Sequence, residues 1–144
     1  MTYEKKPADF NAKLDVVSCF LEHDGEFLLL HRQDNIPQGD TWGVPAGKKK
    51  AQETPLQAMR RELEEETGIT TEEGVFGYFR EVYVKYPEFD FVFHIFYLRL
   101  TEKPEIRLNP SEHKAFVWVR PHEALRMKLI PDEDCVIKLF YKLA

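Results

Sequence analysis

Apolar positions along this chain follow two different periods, and the switches between them outline the fold. Leu14 to Leu21 is rich in β-branched and apolar residues and predicts a strand. His23-Asp24-Gly25-Glu26 carries an Asp-Gly turn signal, and Phe27 to His31 then predicts the returning strand of a hairpin. Gln33 to Lys50 interrupts the pattern with Pro37, Gly39, Gly43, Pro45 and Gly47 and predicts a loop. Beyond it the period becomes helical: Leu56, Met59 and Leu63 fall at i, i+3 and i+7, a stripe that can be buried. Thr54 is a good N-cap, Pro55 suits the first helical position, and Gly68 is placed to end the helix. Val75 to Val84 and Phe91 to Leu100 predict two strands around a turn at Pro87, and Phe116 to Val119 a short third. Helical stretches follow around His122 to Met127 and Asp132 to Leu143. The expected class is α/β, a mixed β-sheet sandwiched between helices (α/β/α).

Composition narrows the function. The chain has 144 residues, enough for one domain spanning 1–144. A formal net charge of −5 argues against nucleic-acid polymers as partners, because phosphate backbones are bound with surplus Lys and Arg. A small phosphorylated substrate stays open, since a bound cation can supply positive charge. Cys19 and Cys135 are far apart and indicate neither a disulfide framework nor a zinc knuckle, so a cytoplasmic location is expected. Met1 to Phe10 is polar and charged, without an apolar targeting core. The longest apolar run, Phe91 to Leu100, contains His94 and Arg99 and is too short to span a bilayer, so no membrane partner is expected. Monomer and homodimer both remain open.

The informative segment is Gly47 to Ile69. On its helix Glu62, Glu65 and Glu66 stand at i, i+3 and i+4, which places three carboxylates on one face. Like charges at that spacing destabilise an isolated helix by a few tenths of a kcal/mol per pair. They also occupy the last turn, where the helix dipole disfavours anions. A divalent cation would relieve both costs, and hard oxygen ligands suit Mg²⁺ or Mn²⁺. Acidic spacing alone is common on solvated helix faces; the neighbouring residues carry the further weight.

The same segment resembles the Nudix box, Gly-x5-Glu-x7-Arg-Glu-U-x-Glu-Glu-x-Gly-U, where U is a bulky aliphatic residue. Gly47, Glu53, Arg61, Glu62, Leu63, Glu65, Glu66, Gly68 and Ile69 meet every constrained position. Trp42-Gly43-Val44-Pro45-Ala46-Gly47-Lys48 is similar to the family's lead-in. Phe116-Val117-Trp118-Val119 and Glu123-Ala124-Leu125 are similar to its late strand and helix. Ala46 departs from the family's frequent Gly, at a position where only a backbone carbonyl is required.

The resemblance implies a Nudix fold and metal-dependent hydrolysis of a pyrophosphate linkage. The substrate class is a nucleoside diphosphate linked to another moiety: a nucleoside triphosphate, dinucleoside polyphosphate or nucleotide sugar. It implies that Glu62, Glu65, Glu66 and the Ala46 carbonyl hold Mg²⁺ or Mn²⁺. It implies a general base at Glu62 or Glu65, with Glu112 next, in the loop Asn109-Pro110-Ser111-Glu112-His113. Gly47, Glu53 and Arg61 have supporting roles, the last two as a pair bracing loop against helix. Arg32 and Lys48 are expected on substrate phosphate and Tyr86 on the base. His31 and His94 read as core or surface residues, and Trp42 as packing beside the loop.

A nucleotide-sensing module of the same fold, without catalysis, is the alternative. Such domains usually lose box glutamates, and this chain keeps them. An interaction domain with an acidic helix face would not require the glycines and Arg61. Substrate choice is not legible: Tyr86 and Pro87 lie together where Tyr loosely marks dinucleoside-polyphosphate members and Pro marks ADP-ribose members.

Overall fold

A computed structural model describes residues 1–144. The hairpin is formed by β2 (Ala12–His23) and β3 (Glu26–Arg32). Asp24 and Gly25 between them have φ of 53° and 84°, the left-handed pair required to match strand twist in a two-residue turn. A two-residue β1 (Thr2–Tyr3) precedes them. The predicted loop from Gln33 to Lys50 contains two short strands, β4 (Trp42–Gly43) and β5 (Ala46–Lys48), which the Gly/Pro pattern concealed. Both exist through pairing with distant partners, β4 with β3 and β5 with β2.

Helix α1 spans Pro55–Thr67. The Thr54 hydroxyl accepts the Gln57 N–H, the Gln57 side chain returns to the Thr54 N–H, and Gly68 closes the helix at φ 78°. After a 3₁₀ turn at Glu73–Val75 come β6 (Gly77–Lys85), β7 (Asp90–Arg99) and β8 (His113–Val119). Val75 therefore lies in that turn and not in the strand. The chain ends in α2 (Pro121–Ala124), shorter than its sequence pattern suggested, and α3 (Glu133–Tyr141).

One mixed sheet runs β1-β6-β7-β2-β3-β4, with β5 added to β2 and β8 to β3. β2 and β7 pair in parallel from Leu14↔Phe91 to Glu22↔Arg99, and the other ladders are antiparallel. β2 pairs β5 at Val16 to Ser18 but β3 at Glu22 and His23, so the two partners take successive stretches of the same strand. Alternation along the strands makes two cores. Val17, Cys19, Leu21, Leu28 and Leu30 pack on Met59 and Leu63 of α1. Phe20, Phe27, Leu29, Phe93 and Ile95 pack with Val136 and Ile137 of α3. Helices on both faces of a mixed sheet give the expected α/β/α arrangement. No helix is long and apolar enough to cross a membrane.

Candidate active site

Burying Leu63 and Met59 fixes the roll of α1 and presents Glu62 to Gly47 of β5 and Glu66 to Ala46 and the loop before β8, while Glu65 stays on the exposed side beside Arg61. Glu66 is only 5 % exposed, and its Oε1 accepts the Ala46 N–H at 2.8 Å. Burial raises its pKa well above the ordinary carboxylate range, and the charges of Glu62 and Glu112 add to the rise. Burial also raises Glu62, partly opposed by the Arg61 guanidinium. The Glu62 carboxylate lies against the Gly47 backbone, where any Cβ would overlap it. That contact is a steric reason for glycine at the first box position. Glu65 is 52 % exposed and meets the Arg61 Nη1 at 3.2 Å.

Arg61 is the organising cation. Its Nε and Nη2 donate to both oxygens of Glu53 at 2.6 and 2.9 Å, and its Nη2 also donates to the Lys48 carbonyl at 3.0 Å. Its Nη1 donates to Glu62 at 2.8 Å. The bidentate pair holds the Glu53 carboxyl down to about 2, and Glu53 in turn accepts the Lys50 N–H. One guanidinium thus ties the β5 strand end, the helix approach and the carboxylate face together.

The loop before β8 completes the cluster. Asn109 caps it by accepting from the Ser111 N–H and hydroxyl, and Gln33 donates to the carbonyls of Pro110 and Glu112. The structure brings Glu112, Glu66 and His113 together, with ligand atoms within 4.8 Å of one another. His113 is 5 % exposed, and burial and nearby Arg32 push its imidazole down to about 4. Its Nδ1 is buried without a hydrogen-bond partner. This oxygen-rich set, short of cations and containing an orphaned buried nitrogen, fits a divalent ion.

Beside the carboxylates a cavity of about 630 Å³ opens on the α3 side of the sheet. Arg32, Ala46, Gly47 and Lys48 line it, together with Tyr86, Phe91, Phe93 and Glu133. Arg32 holds the Pro37 carbonyl through Nε and Nη2 at 3.0 and 2.8 Å, leaving Nη1 for another acceptor. Tyr86 donates to the Pro131 carbonyl at 3.0 Å and meets Phe91 edge to face. Trp42 stacks on His31 with centroids 4.2 Å apart, outside this wall. His94 bridges Asp15 and Tyr78 at 2.7 and 3.0 Å, a polar chain within the sheet.

Sequence reasoning missed Glu133 and His113. Glu133 is 6 % exposed, and its Oε1 accepts the Val44 N–H at 2.8 Å. Burial raises its pKa to about 7. In the sequence it is an unremarked acid in the first turn of a helix, where the dipole alone accounts for it.

The NUDIX domain profile matches residues 12–140. A CTP pyrophosphohydrolase of Escherichia coli (strain K12) is 34 % identical over 134 residues, covering 90 % of this chain and 93 % of the relative. A phosphatase NudJ of Shigella boydii is 28 % identical, covering 76 % and 70 %. Among solved structures, a MutT protein of Methanosarcina mazei Go1 superposes with a TM-score of 0.79 at 26 % identity, covering 94 % of this chain and 97 % of that one.

Proposed function

The chain belongs to the NUDIX family of pyrophosphohydrolases, and from that premise we propose that it cleaves the pyrophosphate linkage of a nucleoside triphosphate carrying an amino-bearing base, cytosine first, with a divalent metal. The observation that supports this most is continuity. The carboxylate face of α1 and the cavity that Glu133 helps to line share Ala46 to Lys48.

Glu62, Glu65 and Glu66, with the Ala46 carbonyl, are the residues that would hold Mg²⁺ or Mn²⁺. The cation supplies charge neutralisation of the pyrophosphate and makes phosphorus more electrophilic. Arg61 and Glu53 keep the helix and β5 in register so that these oxygens stay convergent. Arg32 Nη1 and Lys48 reach for substrate phosphate in the cavity. Glu112, on its braced loop, accepts the proton of the attacking water at a carboxylate oxygen; Glu62 and Glu65 are the other candidates. Tyr86, Phe91 and Phe93 offer flat apolar surface to the base. Glu133 sits among them. A carboxyl that titrates near neutrality accepts from an exocyclic amino group when ionised and donates to a ring nitrogen when protonated. Cytosine has both groups on one edge, and the relative named for CTP points the same way.

The test is a kcat/KM comparison across nucleoside triphosphates with Mg²⁺ present. CTP should exceed UTP, which lacks the amino group, by at least ~10-fold, because a buried polar group left unpaired is costly. Equal values for CTP and UTP would overturn the base assignment. Binding without phosphate release across the panel would favour the nucleotide-sensing alternative.

A further inference from the structure

The ligands assigned to Mg²⁺ or Mn²⁺ above are all oxygens, and the buried imidazole of His113 is not among them. β3 and β8 pair regularly from Phe27↔Val119 to His31↔Ala115, and then Arg32 pairs with His113. Lys114 is the extra residue of a β-bulge. A bulge resets the in-out alternation of a strand and re-aims the side chains beyond it. Here it turns His113 in toward the end of α1, next to Glu66, while Lys114 points out to Asp34 and Asp40.

We propose that His113, Glu66 and Glu112 form a mixed nitrogen–oxygen site that takes a transition-metal divalent ion, of the Mn²⁺ to Zn²⁺ series, in preference to Mg²⁺. Two observations support it independently. Ring-nitrogen and carboxylate oxygen atoms of the three residues lie within 4.8 Å of one another. Separately, His113 Nδ1 is enclosed with no protein donor or acceptor, and a buried ring nitrogen without a partner has a free lone pair or N–H to offer an ion or water. Ligands sharing an ion at ~2.1 Å lie at most about 4.2 Å apart, so a pair at the 4.8 Å bound would close by roughly half an ångström. Glu112 is exposed and free to move that far, whereas Glu66 is pinned by Ala46 N–H. Imidazole suits later divalent ions, whereas all-oxygen sets suit Mg²⁺. The bulge thus gives the end of α1 two regions of different character that share Glu66: oxygen-only toward Glu62 and Glu65, and one with a nitrogen donor at His113, where Glu112 is a ligand when a transition-metal ion is bound and the base when Mg²⁺ alone is.

This rests on the metal-dependent reading above, but its test is separate from activity. Purified protein is loaded with one equivalent of Mn²⁺ and examined by pulsed electron paramagnetic resonance. Modulation from a directly coordinated imidazole ¹⁴N is expected in the wild type. In His113→Gln that modulation should vanish, and the Mn²⁺ Kd should rise by ~10-fold or more, while the Mg²⁺ Kd changes less than ~3-fold. Absence of ¹⁴N coupling in the wild type overturns the proposal, and so does coupling that persists in His113→Gln. If that variant does not fold, the wild-type spectrum decides alone. Mg²⁺-driven hydrolysis without nitrogen coupling would leave the enzyme reading intact and remove this one.

Discussion

Carboxylates on the two sides of the central sheet are kept under opposite conditions. On the α1 side, Glu62, Glu65, Glu66 and Glu112 crowd one another, and a single guanidinium, Arg61, touches Glu62 and Glu65. Burial, with mutual repulsion added to it, holds Glu62 and Glu66 above their ordinary range. On the α3 side Glu133 has one hydrogen bond, from Val44 N–H, and burial alone dominates its rise. The crowded group calls for a cation from outside. The solitary group tolerates a proton and presents a switchable hydrogen-bonding edge. On the proposed reading, charge density separates a place for metal and phosphate from a place for a base.

The contrast is broken most severely by taking away what the crowded side awaits. Excess EDTA should abolish turnover, and Glu66→Gln should lower kcat by ~10²-fold or more without loss of fold, as removal of an electrostatic term at the reacting group does. Steady-state rates with circular dichroism as a folding control check both. Glu112→Gln should lower kcat by roughly 10²-fold through proton transfer. A Mg²⁺ titration distinguishes this from a ligand role, because rates restored by high Mg²⁺ would assign Glu112 to the metal instead.

Smaller effects sharpen the two sides separately. Gly47→Ala places a methyl where the Glu62 carboxylate lies. Displacing it should cost about 1–3 kcal/mol in stability, measured by urea unfolding, and should weaken metal binding. Glu133→Gln retains the bond from Val44 and removes ionisation. In the unfolded chain Glu133 titrates near 4.5, in the fold near 7. Between those values the folded protein holds a proton that the unfolded chain has released. Its contribution is therefore full below pH 4.5 and is lost as pH rises through 7, by up to about 3 kcal/mol. The variant should unfold at more similar urea concentrations at pH 5 and pH 8 than the wild type does. An unchanged difference would mean that Glu133 is not the titrating group.

Legibility in the sequence followed the range of the interactions. Helix α1 could be read end to end because its signals are local: Thr54 with Gln57, Pro55, the Leu56-Met59-Leu63 stripe and Gly68. The convergence of Glu62, Glu65 and Glu66 follows from helical spacing alone. β4 and β5 were concealed because two- and three-residue strands have no period and exist only through β3 and β2. His113 was illegible because the bulge at Lys114 depends on how β8 meets β3. Glu133 was illegible because its burial depends on Val44, far away in the chain. The resemblance to the Nudix box pointed to the face where chemistry is expected. The pocket expected to choose the substrate is assembled from β2, β6, β7, α3 and the loop after β3, and no short motif spans those.

The most direct measurement follows product formation from CTP by ³¹P nuclear magnetic resonance, with wild type and Glu66→Gln, in Mg²⁺ and in EDTA. The account predicts CMP and pyrophosphate from the wild type with Mg²⁺, and neither product in EDTA or from the variant. Undiminished cleavage in EDTA, or by Glu66→Gln with Mg²⁺, would contradict it.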